Sequence, residues 1–334
     1  MSDAPIAIAR GGTSIEREVS LRGARRVMAA LRQSGRELAE IEIDHTVVER
    51  VRELAPEFVF IVAHGQSGED GSLQALLELL EVPYTGSDSL ASALCLDKIV
   101  TKQLLRRAGL TTPAFHAFSR HAFQDLGAAA VFDEVMERLG APVLVKPARQ
   151  GSSFGIKYVP RPEQLRTAVL GAVAYDDEIL VERHVSGREL AVTVLGGPEQ
   201  GPGDVAGQGV ATVPYEALPI VEILGTAEVY DYEAHYDFDA VRLDAPADLP
   251  DEARAEVERA ALAACRTLGT RDMARVDLIL EPSGVVQILE LNTIPGLTET
   301  GPTPLAAEAA GIGFSGLVDR LAEAARARGP ARMA

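Results

Sequence analysis

The sequence predicts an α/β protein, on three observations. Over residues 1–92, short apolar runs alternate with segments at helical spacing, the pattern of a parallel sheet with crossover helices. Three further short strands are read between 142 and 182, and two apolar runs flank a Pro-Ser-Gly turn between 275 and 292. At 334 residues, 47% apolar and with a mean hydropathy near zero, the chain is long enough for two or three domains with sizeable cores.

In order, PIAIA is a first strand, Glu18 to about Leu31 a helix, ELAEIEID a strand, VVERVREL a helix and FVFIVAHG a buried strand. YTGSDS supplies loop residues, and SLASALCLDKIVTKQLLRRAG reads as one helix with Gly109 as its C-cap and Pro113 soon after. A helix around 131–139 and the strands PVLVKPA, GIKYV and EILVE follow. After Glu182 the composition shifts: ELAVTVLGG and ALPIVEIL are strands around a Gly-rich loop at 196–209, and PDEARAEVERAALAACRTLG is a well-patterned helix. Residues 226–248 are polar and long for a structureless loop, which marks them as a lid. A last amphipathic helix carries Phe314, Leu317, Val318, Leu321 and Ala325 on one face.

The hairpin RVDLILEPSGVVQILELN carries the most informative chemistry. With Glu281 opposite Gly284, Asp277 faces Ile288, and period-two alternation puts Arg275, Asp277, Ile288, Glu290 and Asn292 on one face. Val276, Leu278, Leu280, Leu289 and Leu291 take the other and build core. The polar face is either a solvated, ion-paired surface or a hard-cation site, since Asp, Glu and Asn oxygens suit Mg²⁺ held jointly with nucleotide phosphates.

Three constellations lie upstream. Gly151 to Gly155 (GSSFG) sits between two strands with Lys146 at the end of the first; small residues expose backbone N–H groups that can curl around an anion, or simply make a turn. It is not a Walker A loop, because no Gly-Lys-Ser/Thr opens a helix. Glu182 and Glu189 flank a Val-Ser-Gly turn and are either exposed charges or hydrogen-bond acceptors for an adenine amino group and ribose hydroxyls. In GGTSIEREVSL, Glu18 lies in the first turn of a helix, where it complements the dipole or holds the ammonium of a small zwitterion.

The net charge of −17 argues against non-specific nucleic-acid binding and against anionic membrane surfaces. Cys95 and Cys265 lie in apolar, helix-like surroundings and are expected to be buried free thiols, which fits a reducing cytoplasm. The N-terminus lacks the basic start and long apolar run of a signal peptide, and no segment approaches the length of a membrane span.

Taken together and in this order, GGTSIEREVS, HGQSGEDGSLQALLELLEVPYTGSDSLASALCLDK, VLVKPARQGSSFG, LVERHVSGREL, YDYEAHY and RVDLILEPSGVVQILELNTIPGLT resemble the D-alanine:D-alanine ligases of the ATP-grasp superfamily, over nearly the whole chain. The resemblance implies an ATP-grasp fold, with a substrate-binding domain at 1–92 and ATP-grasp subdomains at 93–185 and 186–334. It implies ATP-dependent joining of two D-alanines through an acyl phosphate for peptidoglycan synthesis, with ATP and two Mg²⁺ ions (Mn²⁺ as an alternative) and a homodimeric state. It casts Lys98 and Lys146 as phosphate-binding lysines and Gly151, Ser152 and Ser153 as part of the loop over the phosphates. Glu182 and Glu189 become the adenine and ribose partners, and Asp277, Glu290 and Asn292 the metal ligands. Arg275 and the backbone N–H of Gly296 stabilise the tetrahedral intermediate. Glu18, Ser152 and Tyr236 form a hydrogen-bonded trio from the first substrate's ammonium to the lid, and His64 lies near that substrate's carboxylate.

Two departures stand out. His235 occupies a lid position near the γ-phosphate where the family usually has Lys. Gly301 and Pro302 replace a Ser-Leu pair that binds the second substrate's carboxylate; Gly301 has no hydroxyl and Pro302 no N–H. A ligase with another acceptor is therefore a second expectation, and a nucleotide-binding protein without catalysis a third.

Overall fold

In the computed structural model, which describes residues 4–198, 212–225 and 241–329, the chain opens with β1 (Ile6–Arg10), α1 (Arg17–Gln33), β2 (Leu38–Glu42), α2 (Val47–Leu54) and β3 (Val59–Ile61). β1 lies between β2 and β3, parallel to both, as the alternation predicted. It is apolar on both faces because both are covered: Ile6 and Ile8 pack into one core cluster, Ala7 and Ala9 into another. The loop after β3 carries His64 and leads to α3 (Ser72–Leu79) and α4 (Ser89–Leu96).

The single helix expected over 89–109 is two. Asp97 breaks it, and its carboxylate accepts from the N–H groups of Ile99 and Val100 to cap α5 (Lys98–Arg107). Next come β4 (Phe115–Ser119), α6 (Arg120–Gln124), α7 (Phe132–Leu139), β5 (Val143–Pro147), β6 (Lys157–Val159), α8 (Leu165–Ala172) and β7 (Glu178–Arg183), whose strands form an antiparallel sheet in the order β4-β7-β5-β6. β4 escaped the sequence reading because it is a half-exposed edge strand, FHAFS, without clean alternation.

The third sheet holds β8 (Arg188–Pro198), β9 (Thr212–Ala217), β10 (Val221–Gly225), β11 (Val241–Asp244), β12 (Asp272–Leu280) and β13 (Val286–Asn292), in the order β11-β10-β8-β12-β13 with β9 also on β8. Helix α9 (Asp251–Leu268) packs on it, and α10 (Pro302–Ala309) and α11 (Gly313–Arg328) end the described chain. β11 falls inside the span expected to be a lid; residues 226–240, with His235 and Tyr236, lie outside the described residues.

The predicted hairpin exists, with a different register. Gly284, at φ +87°, extends the loop to three residues: Glu281 N–H donates to Val285 O and Gly284 N–H to Glu281 O. Leu278 therefore pairs with Ile288, which turns into the core, contrary to the expected polar-face position. An irregularity at Leu289 then shifts the ladder once more, so that Asp277 lies opposite Glu290 and Arg275 opposite Asn292. The two one-residue shifts add to two, an even displacement, and the four polar residues keep a common face.

Packing does not follow chain order. The core on one face of β1 includes Ala24, Val27 and Leu31 of α1 together with Leu317, Val318 and Leu321 of α11, while Cys95 and Leu105 join the core beneath β12 and β13. Both cysteines are free and buried, as expected. A buried latch ties α11 to the loop before α4 and to the start of β12: the guanidinium of Arg328 donates to Tyr84 O at 2.8 Å and pairs with Asp272, whose second oxygen accepts from Gly86 N–H at 2.8 Å. Among the described residues no helix is long and apolar enough to cross a membrane.

Removing Arg328 leaves Asp272 buried with an uncompensated charge, so Arg328→Ala should destabilise the protein by about 3 kcal/mol. Urea unfolding monitored by circular dichroism checks this; an unchanged midpoint would show that the latch carries no stability.

Candidate active site

The polar face of the β12–β13 hairpin is the floor of the site. Arg275 chelates Asp277, Nε to Oδ1 at 2.7 Å and Nη2 to Oδ2 at 2.8 Å, and Asn292 Nδ2 donates to Asp277 Oδ2 at 3.0 Å. Glu290, opposite Asp277, takes Lys98 Nζ at 3.0 Å. β8 extends the same face, since Glu189, Ala191 and Thr193 lie opposite Ile279, Asp277 and Arg275. Burial acts to raise the Glu290 carboxyl, but the charges of Lys98 and Lys146 outweigh it and hold it down to about 2. Burial would likewise lower Arg275, yet Asp277 and Glu290 keep it above its ordinary value. Glu189 is pushed up to about 7, by burial first and by the Asp277 charge second.

The antiparallel sheet of the middle segment forms the opposite wall. Lys146, at the end of β5, pairs with Glu182 of β7 at 2.7 Å. Lys98 reaches across to the phosphate-type loop, Nζ to Gln150 O at 2.7 Å, while its own N–H donates to Ala148 O at 3.0 Å. In that loop Ser152 and Ser153 adopt φ +47° and +59°, uncommon for residues with side chains, and Gly155 φ +75°.

The third wall comes from the N-terminal sheet, and here one expectation is corrected. Glu18 is a solvent-facing residue, its side chain 80% exposed and beside Arg17, because the second position of α1 points away from the cleft. Glu16, one residue before the helix, is the buried carboxylate that accepts from the Ser152 hydroxyl. Glycines from two sheets make room for it: a Cβ on Gly65 would lie 2.7 Å from Glu16 Oε2, and one on Gly151 2.9 Å from the same atom. Ser14 orients the turn, its hydroxyl donating to His64 O at 2.8 Å and accepting from Glu16 N–H at 3.1 Å.

Behind Glu16 lie His64 and Glu69, both buried. His64 Nε2 has no hydrogen-bond partner among the described residues, and burial lowers this imidazole's pKa, with Glu16 opposing. Glu69 accepts from Gly65 N–H at 2.7 Å and is pushed up to about 8, by burial first and by the Glu16 charge second. At the end of the cleft Gly301 caps α10 in an extended conformation, and a Cβ there would lie 3.0 Å from Gly296 O, so the two glycines adjoin.

Family models described as "D-ala D-ala ligase C-terminus" and "D-ala D-ala ligase N-terminus" match residues 104–323 and 48–87. The D-alanine–D-alanine ligase of Desulforudis audaxviator is 42% identical over 324 residues, covering 97% of this chain and 99% of that protein. The chain belongs to the D-alanine–D-alanine ligase family. Among solved structures, the ligase of Bacillus anthracis superposes with a TM-score of 0.80 at 32% identity, covering 97% of this chain and 98% of that one. The same enzyme complexed with ATP gives 0.79 at 31% identity, covering 98% of this chain and 99% of that one. The VanG D-Ala:D-Ser ligase of Enterococcus faecalis gives 0.78 at 28% identity, covering 97% of this chain and the whole of that one. The fold is thus the ATP-grasp fold behind a small parallel-sheet domain.

The structure of this family member brings together Lys98, Lys146, Gly151, Ser152, Glu182, Glu189, Arg275, Asp277, Glu290 and Asn292, with His64, Gly296 and Gly301 along the N-terminal and far walls. The donor set fits a hard divalent ion shared with phosphates: among the described residues no cluster of three or more His, Cys, Asp or Glu side chains could hold a metal alone, but two carboxylates and an amide oxygen line one face. Sequence reading missed Glu16, Glu69 and Lys102. Lys102 was detectable, lying four residues after Lys98 on α5 and so on the same helix face.

The Glu69 shift makes stability depend on pH. In the folded protein this carboxyl binds its proton up to about 8, against an ordinary value of 4.5. Between those values the folded state holds more protons than the unfolded one, so stability falls as pH rises, by up to about 1.4 kcal/mol per pH unit for one group. Without nucleotide, the melting temperature should decline from pH 5 to 8, and Glu69→Gln should flatten the decline; a Gln variant with the wild-type slope would contradict the assignment.

Proposed function

We propose that this enzyme joins two D-alanines into D-alanyl-D-alanine at the expense of ATP, for peptidoglycan synthesis. The observation that carries the reading is the convergence of three walls: the Arg275–Asp277–Asn292 and Lys98–Glu290 groups, the Lys146–Glu182 pair, and Glu16 closing on Ser152 of the glycine-rich loop.

A carboxylate is a poor electrophile, so the first D-alanine is activated by transfer of the γ-phosphoryl group, which yields an acyl phosphate and ADP. Lys98, Lys146 and the N–H groups of 151–155 neutralise and orient the phosphates, and Glu182 and Glu189 receive the adenine and ribose. Glu16, rather than Glu18, holds the ammonium of the first substrate and the Ser152 hydroxyl together, with Tyr236 as the third member and His64 beside the substrate carboxylate. The amine of the second D-alanine then attacks the acyl carbon and inorganic phosphate leaves; Arg275 and the Gly296 N–H stabilise the oxyanion between these events. Asp277, Glu290 and Asn292 would hold two Mg²⁺ ions, with Mn²⁺ as a substitute, which would supply positive charge to the phosphoryl group being transferred. His235 and the rest of residues 226–240 would complete the site over the phosphates as its lid. The same reading gives a cytoplasmic homodimer divided functionally at 1–92, 93–185 and 186–334.

A second reading keeps the activation step and changes the acceptor. Gly301 offers no hydroxyl and Pro302 no N–H where the family binds the acceptor's carboxylate, and the structural relatives include a D-Ala:D-Ser ligase.

Phosphate release with MgATP and D-alanine, set against a panel of other D- and L-amino acids and D-lactate with products identified by mass, tests both. Turnover with D-alanine alone and a D-alanyl-D-alanine product supports the first; a requirement for a second compound supports the other. Glu16→Gln should lower kcat/KM for the first substrate roughly 30-fold or more, equivalent to about 2 kcal/mol, while Glu18→Gln stays within about twofold of wild type. Equal effects would return the role to Glu18.

A further inference from the structure

Lys102 is the one fully buried lysine among the described residues. Its ammonium pairs with Glu182 Oε2, donates to Thr112 Oγ1 at 2.7 Å and lies 6.0 Å from the centre of the Phe115 ring. Glu182, itself fully buried, gives its other oxygen to Lys146 Nζ at 2.7 Å. One carboxylate thus sits between two lysines, with one positive charge more than its own neutralisation requires.

The two lysines are not equivalent. Lys146 lies at the end of β5, keeps 8% of its side chain exposed and feels the Glu189 charge besides those of Glu182 and Glu290, whereas Lys102 has no exposed surface and is locked by the Thr112 hydroxyl. Burial acts to lower both; Glu182 and the floor carboxylates hold Lys146 up, while Lys102, opposed by Glu182 but also facing the Lys146 charge, goes down to about 8. A lysine that serves phosphates must be free to leave its carboxylate. A buried carboxylate cannot lose its only cation without taking up a proton.

We infer that Lys102 is a positioning residue: it is the fixed counter-ion that keeps Glu182 ionised and aimed at the adenine amino group while Lys146 turns to the phosphates. This rests on the nucleotide reading of the same site. Its consequence is base selection. An ionised Glu182 only accepts hydrogen bonds and so favours the amino group of adenine; a protonated one carries a donor and can pair with the carbonyl oxygen of hypoxanthine.

The test compares ATP with ITP by steady-state kinetics in wild type, Lys102→Met, Lys102→Arg, Glu182→Gln and the double variant Lys102→Met/Glu182→Gln. Lys102→Met should raise KM for ATP at least tenfold and lower the ATP:ITP preference in kcat/KM by a similar factor, with KM for D-alanine within about twofold; Lys102→Arg should retain the ATP preference. A folded Lys102→Met enzyme with the wild-type ATP:ITP preference overturns the inference. Should Lys102→Met not fold, the double variant decides, because it leaves no lone buried charge: its ATP:ITP ratio should match that of Glu182→Gln, and a more than about threefold difference would show that Lys102 does not act through Glu182. If wild type turns over D-alanine with no preference for ATP over ITP, the adenine assignment of Glu182 fails and this inference with it; if wild type shows no nucleotide-dependent turnover at all, the ligase reading itself fails.

Discussion

Mutual neutralisation of buried charge is the constraint on which the cleft depends. Arg275 with Asp277, Lys98 with Glu290, and Lys102 and Lys146 with Glu182 are ion pairs partly or, around Glu182, almost wholly withdrawn from water, and each would be costly if one partner were missing. The pairs also join separate elements: Lys98 on α5 couples the hairpin floor to the glycine-rich loop through Gln150 O, and Glu182 couples β7 to both β5 and α5. On the proposed function, the cations that would face phosphates are stored on carboxylates until those phosphates arrive.

Such storage needs rigid walls, and the packing supplies them by crossing chain order. α11 lies against α1, so the last described helix completes the core of the first sheet, while α4 and α5 contribute Cys95 and Leu105 to the core beneath the hairpin. The Arg328–Asp272–Gly86 latch ties the 84–88 loop to the start of β12, three residues before Arg275. Glu16 can approach Ser152 only because Gly65 and Gly151 lack the carbon that would occupy its place. Sheet edges, glycines and a helix start drawn from distant parts of the chain thereby converge on one small volume.

The polar floor and the Lys146–Glu182 wall lie on β12, β13, β5 and β7, whereas Gly301 and Pro302 stand at the far end of the cleft, where the extended glycine adjoins Gly296 O and the proline begins α10. On the proposed function, activation of the carboxylate and selection of the acceptor therefore fall on different segments of the chain.

The sequence by itself determined the α/β class, the parallel order of β1, β2 and β3, the hairpin, and the grouping of Arg275, Asp277, Glu290 and Asn292 on one face, because each follows from local periodicity and turn chemistry. Its ordered motifs also carried the family. Where local preferences competed, it was misleading: Asp97 is both a helix residue and an excellent cap, and Gly284 permits a longer turn than Pro-Ser alone suggests. Glu18 satisfied the rule for a helix first turn, and that rule says nothing of direction. Only the tertiary structure decided that Glu16 faces the cleft, that Glu69 holds a proton near neutral pH and that Lys102 is enclosed with Glu182, since burial and charge neutralisation arise from segments that meet in space and leave no trace in any one of them.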